Sequence, residues 1–426
     1  PMKNVYKFTI LAIFVWSISI DAQIFDKVKQ AVKNKTEQKT DETVNKTVDK
    51  TSEKIEEGIT NIFKKKDKSK TNENTSEEKG TKAEKSEKSS LQISSKFDFV
   101  PGEKVIFYED FSSTDVGDFP STFNTNGSGE VVSNNNFEGK WLKFIDSENS
   151  IWTDAILKLP ENYTIEFDVI PIKGEENSMG GYVFRMIKSI NIKSYDTGAI
   201  PGKGGFMYKV EYFGKPSYRV YQNDYQGSLY NLEGNKEDEV LFQKENQKYH
   251  ISIWVQKSRL RLYQDEVKLF DIQKAFPDAS LKMDRIRFEE GAALISNVRI
   301  AVGNPDMRSK LLTEGKLVTY GIYFDINKDI VKPESIGTLK EIAQVLKENP
   351  SVKVKIVGHT DSDGDNDKNL DLSKRRANSV KNELVKTFGL EASKIETDGL
   401  GESKPIAPND TSANKALNRR VEFIKL

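Results

Sequence analysis

The spacing of apolar residues changes character along this chain, and no single architecture accommodates all of its textures. From Gln23 to about Ser95 the composition falls to lysine, glutamate, threonine, serine and asparagine, with no aromatic residue after Phe63. Such a stretch cannot bury enough apolar area to offset the entropy of ordering it. Val28 and Val32, Val44 and Val48, then Ile55, Ile59, Ile62 and Phe63 recur at helical spacing, so a weak amphipathic helix is the most structure expected of this spacer over 23–95. At Phe97 the pattern turns to period two, and beyond Asn304-Pro305 strands alternate with helices. The fold class expected is therefore multidomain, an all-β sandwich over 96–303 followed, after a connector at 304–316, by an α/β sandwich over 317–426.

Composition narrows the function classes. Lysine plus arginine equals aspartate plus glutamate, 65 against 65, which removes the electrostatic case for nucleic acid as a partner. Absence of cysteine excludes disulfide staples, thiolate metal sites, a cysteine nucleophile and a lipid-modified cysteine, and two histidines are too few for a histidine-based metal cluster. No cofactor is expected. Lys3 and Lys7 precede an apolar run from Phe8 to Ile20 that ends at Asp21-Ala22-Gln23. That run has the length of a signal-peptide core and is shorter than a membrane-spanning helix, so 1–22 is expected to be a signal peptide and the protein to be exported.

In the β region, YTIEFDVIPI puts Tyr163, Ile165, Phe167 and Val169 on one face and Thr164, Glu166 and Asp168 on the other. HISIWVQ likewise sets Ile251, Ile253 and Val255 against His250, Ser252 and Trp254. Turn signals at 126–129, 179–181 and 202–205 divide the strands. YEDFSS at 108–113, the hairpin ISIWVQKSRLRLYQDEVKLFD and the closing ISNVRIA together resemble the concanavalin or laminin-G-like jelly-roll domains. That likeness implies a fold more than an activity. Glu166 and Asp168 share a strand face at a spacing a glycan hydrolase could use, but Ile170 and Ile172 stand where related hydrolases carry a third acid, so solvated strand acids are expected. Tyr182, Phe184, Tyr208, Tyr212, Tyr218 and Tyr221 could stack on sugar rings, although aromatics at period two more often form a core. An outer-membrane barrel is disfavoured, because YKVEYFGKPSYRVYQ breaks at Gly214 and Pro216.

The C-terminal region carries the specific signal. Strands are expected at 317–324 and 352–358 and helices at 334–349, where Ile336, Leu339, Ile342, Ala343 and Leu346 share one face, and at 370–388, with two further strands in KIETDGLG and RRVEFIKL. GHTDSDG (358–364), NLDLSKRRA (369–377), GLGESKP (399–405) and NRRVEF (418–423) resemble, in order, the signature blocks of the OmpA-like peptidoglycan-binding domain, over about 313–426. The resemblance implies a non-enzymatic role, gripping the peptide stem of peptidoglycan so as to anchor an envelope protein or the outer membrane to the cell wall. It places the protein in the Gram-negative periplasm, in association with outer membrane and wall. Other outer-membrane or periplasmic proteins are possible partners through the spacer or the sandwich.

The free end of diaminopimelate in that stem is a zwitterion, which demands an anion and a cation held a few ångströms apart. The resemblance assigns Asp361 to the ammonium and Arg376 to the carboxylate, with Thr360 and Asn369 orienting the ligand and Arg420 as a second cation. Structural alternatives stay open: Asp361 capping a turn, and Arg376 pairing with Asp371 or Glu383. Gly358 permits close backbone approach, and Leu372 and Ala377 serve packing. Asp361, Asp363, Asp365 and Asp367 alternate like a calcium loop, but Asn366 and Leu372 stand where an EF-hand needs glycine and glutamate, so no metal site is expected.

Overall fold

The computed structural model describes residues 97–426, apart from 175–180, 192–195, 197–199, 225–226, 277, 279 and 304–305. The signal peptide expected at 1–22 and the spacer at 23–95 lie outside the described residues.

Period-two patterning produces thirteen strands that join one sheet. Its organising element is β13 (Arg285–Val302), 18 residues long. The first part of β13 pairs with β6 (Tyr182–Lys188), Arg285 opposite Ile187. The later part pairs with β5 (Asn162–Pro171), Ile295 opposite Val169. Beyond β5 follow β10 (Tyr249–Gln256), β11 (Arg259–Gln264) and β12 (Val267–Ile272), and beyond β6 follow β7 (Gly204–Val210), β8 (Pro216–Asp224) and β9 (Gly227–Asn235). β1 (Lys104–Glu109) and β4 (Trp141–Thr153) also pair with β13, and β2 (Phe123–Thr125) and β3 (Glu130–Val132) pair with β4. The strand bends where Glu290 and Gly291 take positive φ, and an added Cβ on Gly291 would lie 1.6 Å from the Gly181 carbonyl oxygen, so only glycine fits. The sandwich expected from the sequence is thus one curled sheet, wrapped around a core in which the Phe167 ring stacks on Phe184 at 5.0 Å and meets Phe288 edge-on at 5.1 Å.

The C-terminal sheet has the order β14 (Lys316–Thr319), β17 (Val421–Lys425), β15 (Val354–His359), β16 (Ile395–Gly401), with β15 and β16 parallel. α1 (Met307–Leu312) leads into it. α2 (Ile336–Glu348) and α3 (Asn366–Lys386) contribute Leu339, Ile342, Ala377, Val380 and Leu384 to a core shared with Val354, Ile356 and Phe423. At Gly358 an added Cβ would come within 2.3 Å of the Ser373 carbonyl oxygen, so the glycine lets α3 lie against the strand. Two boundaries differ from expectation. The strand expected over 317–324 stops at Thr319, because Tyr323 leaves the sheet: its N–H donates to Ser335 Oγ at 2.8 Å and its phenol to Glu166 Oε2 at 2.5 Å. The helix expected from 370 starts at Asn366, because the Asp365 carboxylate accepts the N–H groups of Asp367 and Lys368, both at 3.1 Å.

Gln92–Leu426 is one compact unit, and the seam inside it corrects the expectation of solvated acids on β5. Glu166 and Asp168 are 1% and 4% exposed, because the segment carrying Tyr323 covers that face. Arg299 Nη1 donates to Glu166 Oε1 at 2.5 Å, His250 Nδ1 lies 2.7 Å from Asp168 Oδ1, and Asn297 Nδ2 donates to Asp168 Oδ2 at 2.9 Å. Burial alone would raise both carboxyls, yet Arg299 and His250 hold Glu166 low and His250 holds Asp168 low. Of the aromatics considered for sugar stacking, Tyr182, Phe184, Tyr208 and Tyr221 are buried in the protein, and the side chain of Tyr212 lies outside those described.

Candidate ligand site

The loop that follows β15 and the first turns of α3 converge with the 320–332 segment and the residues before β17. Thr360 is buried beside the end of β16, its N–H donating to the Gly401 carbonyl at 3.0 Å, and its hydroxyl has no hydrogen-bond partner among the described residues. Asn369 is spent on the loop: its Nδ2 donates to the carbonyls of Asp361 and Asp363, at 3.3 and 3.0 Å, and to Glu402 Oε2 at 2.7 Å. These bonds fix the loop's shape and so the direction of Asp361.

Asp361 and Arg376 come to one region but do not grip each other. Asp361 is buried; one oxygen accepts the Asp363 N–H at 3.1 Å and the other accepts Arg419 Nη1 at 2.6 Å. Arg376 donates from Nε to the Lys328 carbonyl at 2.9 Å and from Nη2 to the Asp325 carbonyl at 3.1 Å, and its guanidinium lies 4.8 Å from the centre of the Phe324 ring. Burial lowers Arg376 to about 10, and Asp361 is the foremost charge opposing that fall. Asp371, a candidate partner for Arg376 from the sequence, pairs instead with Arg375 at 2.8 Å.

Arg420, expected as the second cation, is buried and directed elsewhere. Its Nε donates to Glu422 Oε1 at 2.9 Å and its Nη2 to the Lys404 carbonyl at 3.0 Å. Arg420 stands just before β17 and turns to Glu422 within that strand, while Arg419, the residue that caps the preceding helix, reaches Asp361. Arg419 is the residue missed from sequence. The doubled arginine in NRRVEF was the available signal, but nothing in it told which of the two faces the loop. Burial would lower Arg419, but Tyr108, Asp110 and Asp361 outweigh it and hold the group high. The alternating aspartates disperse: Asp363 binds Lys415 Nζ at 2.8 Å and Asp365 caps α3. Chemically, the site offers one oriented carboxylate and two guanidiniums, a set suited to a ligand bearing charges of both signs.

Residues 323–419 match the model of the OmpA family. The chain is 48% identical over 102 residues to "Probable lipoprotein YiaD" of Escherichia coli strain K12, a stretch covering 24% of this chain and 46% of that protein. It is 46% identical over 105 residues to Outer membrane porin F of Pseudomonas fluorescens, covering 25% of this chain and 32% of that one. The chain therefore spans less than half the length of either relative. The crystal structure of the peptidoglycan-associated lipoprotein from Burkholderia pseudomallei is similar at 32% identity over 25% of this chain and 88% of that chain, with a TM-score of 0.23. With the four sequence blocks, the sheet and the two helices all inside the matched stretch or at its edge, residues 323–419 constitute an OmpA-like domain.

Proposed function

We propose that this domain binds the peptide stem of peptidoglycan non-covalently, through diaminopimelate, and so anchors an exported envelope protein to the cell wall. The observation that carries this is the state of Arg376. Its guanidinium is oriented by two carbonyl oxygens and an aromatic ring, so its geometry is fixed while its charge stays open to a ligand carboxylate. Asp361 supplies the opposite charge for the ammonium, and the Thr360 hydroxyl a neutral contact. The role is binding, not catalysis. Names of the similar proteins, an outer membrane porin and a lipoprotein, support an envelope location. For the curled sheet we keep a jelly-roll connectivity as a proposal, and for the spacer or the sheet, contacts with other envelope proteins.

Co-sedimentation of the full chain with purified sacculi tests the site. Asp361→Asn and Arg376→Ala should each weaken sacculus binding by roughly tenfold or more, about 1.5–3 kcal/mol for a charge-assisted contact, while the melting temperature of Arg376→Ala stays near wild type. Both variants sedimenting like wild type sinks the assignment.

A further inference from the structure

The end of β1 belongs to the curled sheet, yet its side chains stand at the ligand site. Arg419 is shared between two carboxylates: Nη1 reaches Asp361 Oδ2 at 2.6 Å and Nη2 reaches Asp110 Oδ2 at 3.0 Å. Its guanidinium also lies 5.2 Å from the centre of the Tyr108 ring. The donor that engages Asp361 is thus held from behind by residues of the curled sheet and the turn after β1.

That grip is built, not incidental. Asp110 Oδ1 accepts the Ser112 N–H at 3.1 Å, which fixes the carboxylate, and only 16% of the side chain is exposed. The Ser112 hydroxyl stands 3.4 Å from Ser412 Oγ, so the turn after β1 rests on the start of α4 (Ser412–Asn418), the helix whose C-cap is Arg419. Tyr108 is anchored in turn, its phenol donating to Asn297 Oδ1 at 2.8 Å and Asn297 donating to Asp168 in the seam.

We propose that Asp110 is a positioning residue for the wall-peptide site: it draws on Arg419 from behind, so that Asp361 can exchange the guanidinium for the ligand's ammonium. This rests on the function proposed above. With both carboxylates present, an ammonium arriving at Asp361 displaces Arg419 from one partner and leaves it a second charge-assisted bond. With Asp110 neutral, Arg419 belongs to Asp361 alone, and displacing it leaves a desolvated cation unpaired. The curled sheet then sets the affinity of a site whose ligand contacts lie in the other domain.

The test uses the full chain, purified Gram-negative sacculi, and free meso-diaminopimelate as competitor. Asp110→Asn keeps an acceptor for the Ser112 N–H and should reduce sacculus affinity about tenfold. Asp110→Glu should recover most of the loss, and in an Arg419→Ala background Asp110→Asn should add nothing further. Wild-type affinity in Asp110→Asn overturns the proposal, as does tighter binding, or a loss that persists without Arg419. Failure of the wild-type chain to bind sacculi overturns this proposal and the proposed function together; normal wild-type binding with indifference to Asp110 overturns this one alone.

Discussion

Raising the pH should weaken the fold through His250, and replacing that residue should remove the effect. The imidazole is buried, 2.7 Å from Asp168 Oδ1 and 3.5 Å from Glu166 Oε2. Burial by itself would lower its proton affinity, but the two carboxylates outweigh it and lift the group from 6.5 to about 10. A histidine that binds its proton more tightly when folded contributes stability that is complete below its unfolded pKa and is lost as pH rises through the folded value. The window is therefore about pH 6.5 to 10, where the folded chain holds one proton more than the unfolded one, and the slope approaches about −1.4 kcal/mol per pH unit. Urea unfolding at intervals between about pH 6 and 10 measures it, with Trp254 a natural reporter because it packs against Phe99 and Arg261 near the seam. His250→Gln should be less stable at about pH 7 and should show a flatter alkaline slope than wild type. Equal slopes in the two proteins would mean that the imidazole is not charged in the fold, and the account of the seam would fail.

Two further substitutions probe the fold. Glu166→Gln leaves Arg299 without its carboxylate in a buried seam and should cost about 3 kcal/mol in urea unfolding; a change under about 0.5 kcal/mol is what a solvated strand acid would give. Gly358→Ala forces a Cβ to within 2.3 Å of the Ser373 carbonyl oxygen, and the required displacement of α3 should lower stability by about 2–4 kcal/mol, read as a shifted thermal midpoint.

Local pattern was informative wherever one face decided the answer. The apolar stripe Leu339, Ile342, Ala343 and Leu346 specified a helix against the C-terminal sheet, and Tyr163, Ile165, Phe167 and Val169 specified the inward face of β5. The opposite face of β5 misled, because alternation reports only that one side is polar. Thr164, Glu166 and Asp168 meet another polar surface and not water. The groups that pair with Glu166, Arg299 and Tyr323, lie 133 and 157 residues further along the chain, beyond the reach of any local pattern. The same blindness explains Arg419. Sequence blocks brought Asp361, Thr360, Asn369 and Arg376 to one region, but the choice between adjacent arginines depended on how the chain turns between the helix ending at Asn418 and β17, and on Tyr108 and Asp110, the latter 309 residues before Arg419 in the chain.

The long bent strand also governs the order in which this protein can assemble. Lys104 finds its partner at Val302, and the edges of β4, β5 and β6 are all completed by β13. During synthesis each of those earlier strands keeps one edge open until β13 emerges. Contacts so distant in sequence make for slow folding and a long interval of exposure to aggregation. A chaperone that shields unpaired strands would matter most in that interval, and truncation before Arg285 would leave the β region unable to close at all.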